Sequence, residues 1–219
     1  RVTVRAVKLE APLPFDGRTL GARFDDVAWP LRELMLFGGM MVTRGEAVRL
    51  LDALRSVDSF LLGARLVTRY LTDRLRHRRG TRLVLGNALA ARLYRNLLDR
   101  NVAIWREAET TELVTVDDRV AGIVVRTAAG TRRVEAARAV VLAGGGFPAS
   151  EEMRRRYLPA PVAEYSAAAE GCVGGTLALA RQAGAALGPP LGDNALWFPS
   201  SIARRDDGST MVYPHIALD

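Results

Sequence analysis

Residues 138–147 read RAVVLAGGGF: a continuous apolar run, 139–143, that ends in three glycines and an aromatic ring. An unbroken run of this length fits a central strand covered on both faces, because a half-exposed strand alternates apolar and polar residues. The glycines at its end have two readings. Ligands of open α/β sheets bind beyond the carboxyl ends of the strands. Backbone without a Cβ lets a cofactor come close there, with bare amides to meet phosphate or ribityl oxygens. Alternatively, the glycines only satisfy a tight turn with positive φ. The run matches neither G-x-G-x-x-G nor G-x-x-x-x-G-K-[ST], so no phosphate-loop fingerprint chooses between the two.

Upstream of the run the pattern has period 2. Strands are expected at 102–105, 112–116, 120–126 and 132–136, with turns at Asp117-Asp118-Arg119 and Ala129-Gly130, which makes an antiparallel β-meander. Further upstream the period is helical. Thr43-Arg44-Gly45-Glu46 has capping-box spacing and predicts a helix over 44–56. A second helix begins near Ser59 with Phe60, Ala64, Val67, Leu71 and Leu75 on its expected buried face, and Gly80 ends it. Asn87 is the expected cap of a third, in which Leu89, Leu93 and Leu97 share a face. Residues 1–10 alternate like a strand, and Pro12, Pro14 and Asp16-Gly17 mark turns. Downstream, Ser150-Glu151-Glu152 reads as a helix start, and Gly174-Gly175-Thr176 precedes a helix over 177–187. The layout predicts an α/β fold of α+β character: helices, an antiparallel meander and a central strand.

Bulk properties narrow the function classes. The chain has 219 residues, 49% of them hydrophobic, enough for one large domain or two modest ones. No apolar run approaches the roughly 18 residues a membrane-spanning helix needs. One cysteine, Cys172, and two histidines, His77 and His215, make a structural metal site improbable and favour a reducing, cytoplasmic setting. The formal charge is +7, with an arginine cluster over 74–82. That cluster reads either as a solvated helix end or as a surface for an acidic partner. It lacks the interleaved aromatics of a nucleic-acid surface, so no specific nucleic acid is expected. Neither end has the marks of a complete chain: there is no initiator Met, and the last residues carry no terminal helix. An excised piece is expected, self-associating through the apolar surface that excision exposes.

The order of motifs resembles the FAD-dependent dehydrogenases of the fumarate reductase, succinate dehydrogenase and 3-ketosteroid Δ1-dehydrogenase superfamily, nearest the ketosteroid-dehydrogenase-like branch. The resemblance runs through Pro14-Phe15-Asp16-Gly17-Arg18, Leu36-Phe37-Gly38-Gly39-Met40, Arg79-Gly80-Thr81-Arg82-Leu83 and Gly86-Asn87-Ala88-Leu89. It continues through Arg119-Val120-Ala121-Gly122-Ile123, which is similar to an R-V-x-G-V hairpin, and through 140–147, which is similar to V-V-L-A-T-G-G-F. It implies FAD as cofactor, touched by the backbone of Ala143, Gly144 and Gly145. The family's threonine is Gly144 here, so one side-chain hydroxyl is absent. Thr110 and Thr111 stand where the family presents strand backbone to the adenine, or are two β-formers in a strand.

The resemblance also has departures. The superfamily's N-terminal Rossmann motif has no counterpart. The family's N-T-G-D-G appears as Cys172-Val173-Gly174-Gly175-Thr176, so its aspartate, an FAD contact, is Gly175. Gly174 and Gly175 are carried over as cofactor residues, beside the reading that they only start a helix. Phe198-Pro199-Ser200 aligns with the H-P-T whose histidine holds a dicarboxylate, and phenylalanine cannot do that. Trp197, Phe198 and Ser200, with Phe37, are therefore expected to line a pocket for a small hydrophobic, steroid-like substrate. The bland alternatives are a core aromatic pair at 197–198 and a turn into a helix at Phe37. The resemblance places residues 1–190 in a partial FAD-binding domain and 191–219 at the start of a substrate (capping) domain. It implies hydride transfer between flavin and a C–C or C=C bond next to a carbonyl, with no catalytic residue named in this stretch and the chain alone inactive. The competing reading is a non-catalytic basic binding module, and within the family a dicarboxylate enzyme.

Overall fold

The computed structural model describes residues 13–192, 194–195 and 197–215, so the strand expected over 1–10 and the tail 216–219 lie outside the described residues. The chain divides into two compact units, Arg1–Ile104 and Trp105–Asp219.

In the first unit, β1 (Phe15–Asp16) leads into a 3-10 segment, Gly17–Asp26, capped by the Asp16 carboxylate, which accepts the Arg18 amide at 3.1 Å. A hairpin of β2 (Met35–Leu36) and β3 (Met40–Met41) follows. The capping box then forms as expected: Glu46 donates its amide to Thr43 Oγ1 (3.3 Å), and Thr43 donates its amide to Glu46 Oε2 (2.8 Å). It opens α1 (Arg44–Leu51), which stops short of residue 56 in a run of turns. Then come α2 (Val57–Arg74), β4 (Arg82–Leu83), paired antiparallel with β1, and α3 (Leu85–Asp99). Leu20, Phe24, Val27, Met41, Leu83, Val84, Ala88 and Ala91 form the core, and Met40, Leu66 and Tyr70 a smaller cluster.

Two expected faces are corrected. On α2 the fully buried residues are Ser59, Leu66, Tyr70 and Asp73, while Phe60, Ala64, Leu71 and Leu75 are exposed and only Val67 is partly buried. Polar chemistry turns the helix. Tyr70 donates its hydroxyl to Phe37 O (2.7 Å), and Asp73 accepts from the Thr81 amide and hydroxyl (2.8 Å each) and from Arg18 Nε (3.0 Å). Burial alone would raise the Asp73 carboxyl; the Thr81 amide, the Arg18 guanidinium and the Thr81 hydroxyl outweigh it and hold the group below the usual carboxylate range. On α3, Leu89, Leu93 and Leu97 do share a face, but that face is exposed; the helix packs through Ala88 and Ala91, small enough for close approach to the core. The helix also begins before Asn87, which donates its side-chain amide to Ala28 O (2.9 Å) instead of capping.

In the second unit, β5 (Glu109–Val116), β6 (Arg119–Thr127) and β7 (Gly130–Glu135) form the expected antiparallel meander. The turn between β5 and β6 places both Asp117 and Asp118 at positive φ (48° and 58°), the conformation that matches the strand twist in two-residue hairpins. Ser150 caps α4 (Glu151–Tyr157) by accepting the Met153 amide at 3.3 Å. α5 (Gly175–Gln182) ends well before residue 187 because Gly184, at φ 85°, closes a Schellman turn: Ala185 donates to Ala180 O and Gly184 to Arg181 O, both at 3.0 Å. A last hairpin, β8 (Ser200–Arg204) with β9 (Thr210–Pro214), was not expected, although Asp207-Gly208 between alternating residues signals one. Two expected strands are absent as such. Residues 102–105 and 139–143 join no ladder among the described residues. A central strand needs a neighbour on each edge, and the sheets of this unit are antiparallel ladders that leave 139–143 out, with Val141 85% exposed. The architecture is mixed α/β with antiparallel strands. Among the described residues no helix is long and apolar enough to cross a membrane.

Candidate functional site

The glycines at 144–146 are demanded from within the chain. Gly145 and Gly146 take φ of 85° and 79°, where side chains are strained. A Cβ on Gly144 would overlap the Thr176 side chain, with Oγ1 only 2.9 Å away, and one on Gly145 would lie 2.8 Å from Cys172 Sγ. The partner segment 172–176 is equally tight. Gly174 caps α5 at φ 86°, and a Cβ there would overlap Met153 Sδ. Two backbone bonds hold the segments together: Gly174 donates to Gly146 O (2.8 Å) and Ala149 to Cys172 O (2.9 Å). The glycine turn and the start of α5 are therefore one structure. Gly175 is different, since a Cβ there meets nothing within 4 Å.

The same turn leaves donors free. Ala143, Gly144 and Gly145 are exposed, and among the described residues no acceptor takes the amides of Gly144, Gly145 or Gly146. Such a row of bare amides suits phosphate or sugar oxygens. Thr110 and Thr111 lie on β5, an edge strand against which α5 packs. A bulge falls at Thr111, between the paired positions Thr110 and Glu112, so the strand edge there is irregular; Thr111 donates its hydroxyl to Val124 O at 3.4 Å.

A cavity of about 610 Å³ begins two residues beyond the turn, at Pro148. Leu158, Trp197, Phe198, Ile202 and Val212 give it apolar walls, and Ser200 also lines it, its hydroxyl donated to Phe198 O at 3.1 Å. Strand alternation explains the hairpin's share. Ser200, Ile202 and Val212 face the cavity, while Ser201 and Tyr213 belong to the other face with His215, whose Nε2 lies 2.7 Å from Ser201 Oγ. Phe37 belongs to the first unit, at the tip of the β2–β3 hairpin with φ 50° and 72% exposed.

Arg154 also lines the cavity, and the sequence reading missed it. It donates Nη1–H to Pro148 O (2.8 Å) and Nη2–H to Glu164 O (3.0 Å), tying the end of the glycine turn to the cavity loop. Arg154, Arg155 and Arg156 look alike in sequence; only the spacing of 154 from Ser150 and Leu158, one helical turn each way, marks it as inward. The arginine cluster over 74–82 is no continuous surface. Arg79 is buried and Arg82 pairs with Glu46 at 2.7 Å, leaving Arg74, Arg76 and Arg78 exposed.

A family model described as an FAD binding domain matches residues 12–217. The chain belongs to that family. Its relatives include 4-oxocyclohex-2-ene-1-carboxylate 5-dehydrogenase of Sinomonas cyclohexanicum, 27% identical over 207 residues, 94% of this chain and 35% of that protein. Another is 3-oxosteroid 1-dehydrogenase of Mycolicibacterium smegmatis, 32% identical over 196 residues, 86% of this chain and 33% of that protein. Among solved structures, 3-ketosteroid Δ1-dehydrogenase from Sterolibacterium denitrificans, in complex with 1,4-androstadiene-3,17-dione, superposes with a TM-score of 0.74 at 31% identity, covering 92% of this chain and 37% of that one. The chain thus spans about a third of the length of these relatives. FAD is the family's cofactor, and the free amides and Cβ-less surface of the 144–146 turn fit a dinucleotide's phosphate and ribityl oxygens. The carboxylate the resemblance expects at Gly175 is missing from that cradle.

Proposed function

We propose that this chain is part of an FAD-dependent dehydrogenase that moves hydrogen across a C–C bond next to a ring carbonyl of a bulky hydrophobic substrate. The observation that carries the reading is the apolar cavity that begins two residues beyond the glycine turn, walled by Trp197 and Phe198. Its volume falls within the roughly 300–1,000 Å³ typical of small-molecule sites. The relatives' names point to ring ketones, an oxocyclohexene carboxylate in one case and oxosteroids in another. Bound FAD supplies the hydride acceptor. The chain's own residues do the rest of what falls to this segment. The amides of 144–146 hold cofactor oxygens, Thr110 and Thr111 offer strand edge to the adenine, and Gly174 and Gly175 bring the start of α5 up to the cofactor. Trp197, Phe198 and Ser200 hold the substrate and keep water out. Residues 1–190 act as the flavin side, and 191–219 begin the capping domain that closes over the substrate.

The chain alone is inactive, because relatives carry about twice as much further sequence. It self-associates through apolar side chains left in solvent, among them Val57, Phe60, Leu61 and Leu71 along α2 and Leu75 just after it. Light scattering that shows a monomer at every concentration overturns the self-association. The function itself is tested by titrating FAD while following flavin fluorescence, first with this chain and then with a chain extended to the relatives' length. Binding and ring-ketone turnover by the extended chain support the reading. An extended chain that leaves FAD free overturns it.

A further inference from the structure

The substrate class can be narrowed, on the reading that the cavity is the substrate site. We infer that the cavity takes a cyclic ketone carrying a carboxylate, with Arg154 receiving the anionic oxygens.

Arg154 is 8% exposed and lines the cavity. Its guanidinium has five N–H donors, and two of them go to carbonyls, Pro148 O and Glu164 O. Nε has no partner. Among the described residues no acidic side chain pairs with it; Glu164, an exposed residue that also lines the cavity, lends its backbone carbonyl. Carbonyl dipoles soften a buried charge without cancelling it, and a buried charge is normally paired.

Arg79 shows how this fold seals a cation it does not use. Three carbonyls take its donors, those of Ala28 (2.8 Å), Val27 (2.5 Å) and Phe24 (3.4 Å), and the rings of Phe24 and Trp29 cover it at 4.6 and 5.4 Å. Arg154 has fewer carbonyls and, where Arg79 has aromatic cover, an open cavity. A ligand that fills this space meets apolar walls at Leu158, Trp197, Phe198, Ile202 and Val212 and a buried guanidinium with no ion-pair partner, with the exposed Glu164 also in the lining. An apolar ring body with one carboxylate matches both features, since Arg presents a planar fork to a carboxylate. A fully neutral ketone of the same shape leaves the charge unanswered.

The test uses this chain and two probes, 3-oxoandrost-4-ene-17β-carboxylate and its methyl ester, which differ in charge and little in ring body. Binding is followed by intrinsic tryptophan fluorescence, Trp197 being in the cavity wall. The acid is expected to bind at least about tenfold more tightly than the ester, the scale of one charge-assisted hydrogen bond. Arg154→Met is expected to bring the acid down to the ester's affinity while the ester changes little, and Arg154→Lys to keep part of the preference. An ester that binds as tightly as the acid overturns the inference. So does a preference that survives Arg154→Met, and so does failure of both probes to bind. The comparison of acid with ester needs no variant, so it stands even where Arg154→Met does not fold. The flavin titration above is independent: FAD binding without acid preference removes this inference alone, and acid preference without FAD binding by the extended chain removes the dehydrogenase reading alone.

Discussion

The two units bury an arginine each and treat it in opposite ways. In the first, Arg79 is closed in by three carbonyls and two aromatic faces and is only 2% exposed. Burial, the largest influence, pulls the guanidinium below its ordinary range, and Asp25 pushes part of the way back. In the second, Arg154 bridges two loops and borders a cavity. The difference separates a charge used as internal scaffolding from one placed where a ligand can reach. The first unit is accordingly expected to lose stability when its charges are removed, and the second to lose binding.

The largest effect is expected at Arg79. Arg79→Met strips the bonds from three carbonyls at once and should cost about 4 kcal/mol, against about 2 kcal/mol for Arg154→Met, whose two carbonyls border a wettable cavity. Thermal melts of the two variants give the order. A larger loss at Arg154 than at Arg79 breaks the comparison.

Asp73 comes next. Asp73→Asn weakens bonds to Thr81 and Arg18 inside the first unit and should cost about 3 kcal/mol, less whatever solvent already screens at the half-exposed Arg18. The pH dependence follows from the depressed carboxyl. A group whose folded pKa lies below its unfolded one contributes fully above the unfolded value, about 3.9 for an aspartate, and loses that contribution as pH falls through the folded value. Denaturation midpoints of the parent chain should fall steeply below about pH 4, and those of Asp73→Asn should fall less. Parallel acid limbs for the two proteins count against the assignment.

The glycine turn is tightly packed against the start of α5 in the second unit. Gly144→Thr drives a side chain into Thr176 and should cost about 2 kcal/mol, typical of overpacking. Thr176→Gly in the same chain should return most of that loss, because the space it vacates is the space the new threonine needs. Urea midpoints of the two single variants and the double variant measure the coupling. Strictly additive losses mean that the two positions do not share the space.

These contrasts mark what was legible in the chain. Helix starts set by adjacent residues were: the Thr43–Glu46 box and the Ser150 cap form as spacing predicts, as does the meander. The buried faces of α2 and α3 were not, because hydrogen bonds over 33 residues to Phe37 and 55 residues to Arg18 decide that Tyr70 and Asp73 go inside. Apolar counting favours Phe60 and Leu71, which stay in solvent. At the site, the aromatic pair Trp197-Phe198 stood out and does line a cavity. Arg154 did not stand out, since its role rests on carbonyls at Pro148 and Glu164 that no local pattern announces. The glycine run was visible at once, yet half of its reason, the packing against 172–176, lies about 30 residues downstream.

Gly175→Asp gives the smallest expected effect and separates two meanings of one glycine. The position has open space for a side chain and sits in the first turn of α5, where the N-terminal end of the helix dipole favours an acid. Stability should therefore rise by about 0.5–1 kcal/mol whatever the residue does for a ligand. If the start of α5 belongs to the cofactor cradle, the restored carboxylate should also tighten FAD severalfold in the extended chain. A melt that rises with no change in FAD affinity leaves Gly175 as a helix start only. The tight pairing of 144–146 with 172–176 then serves to shape the turn, and the free amides of the turn carry the cofactor alone.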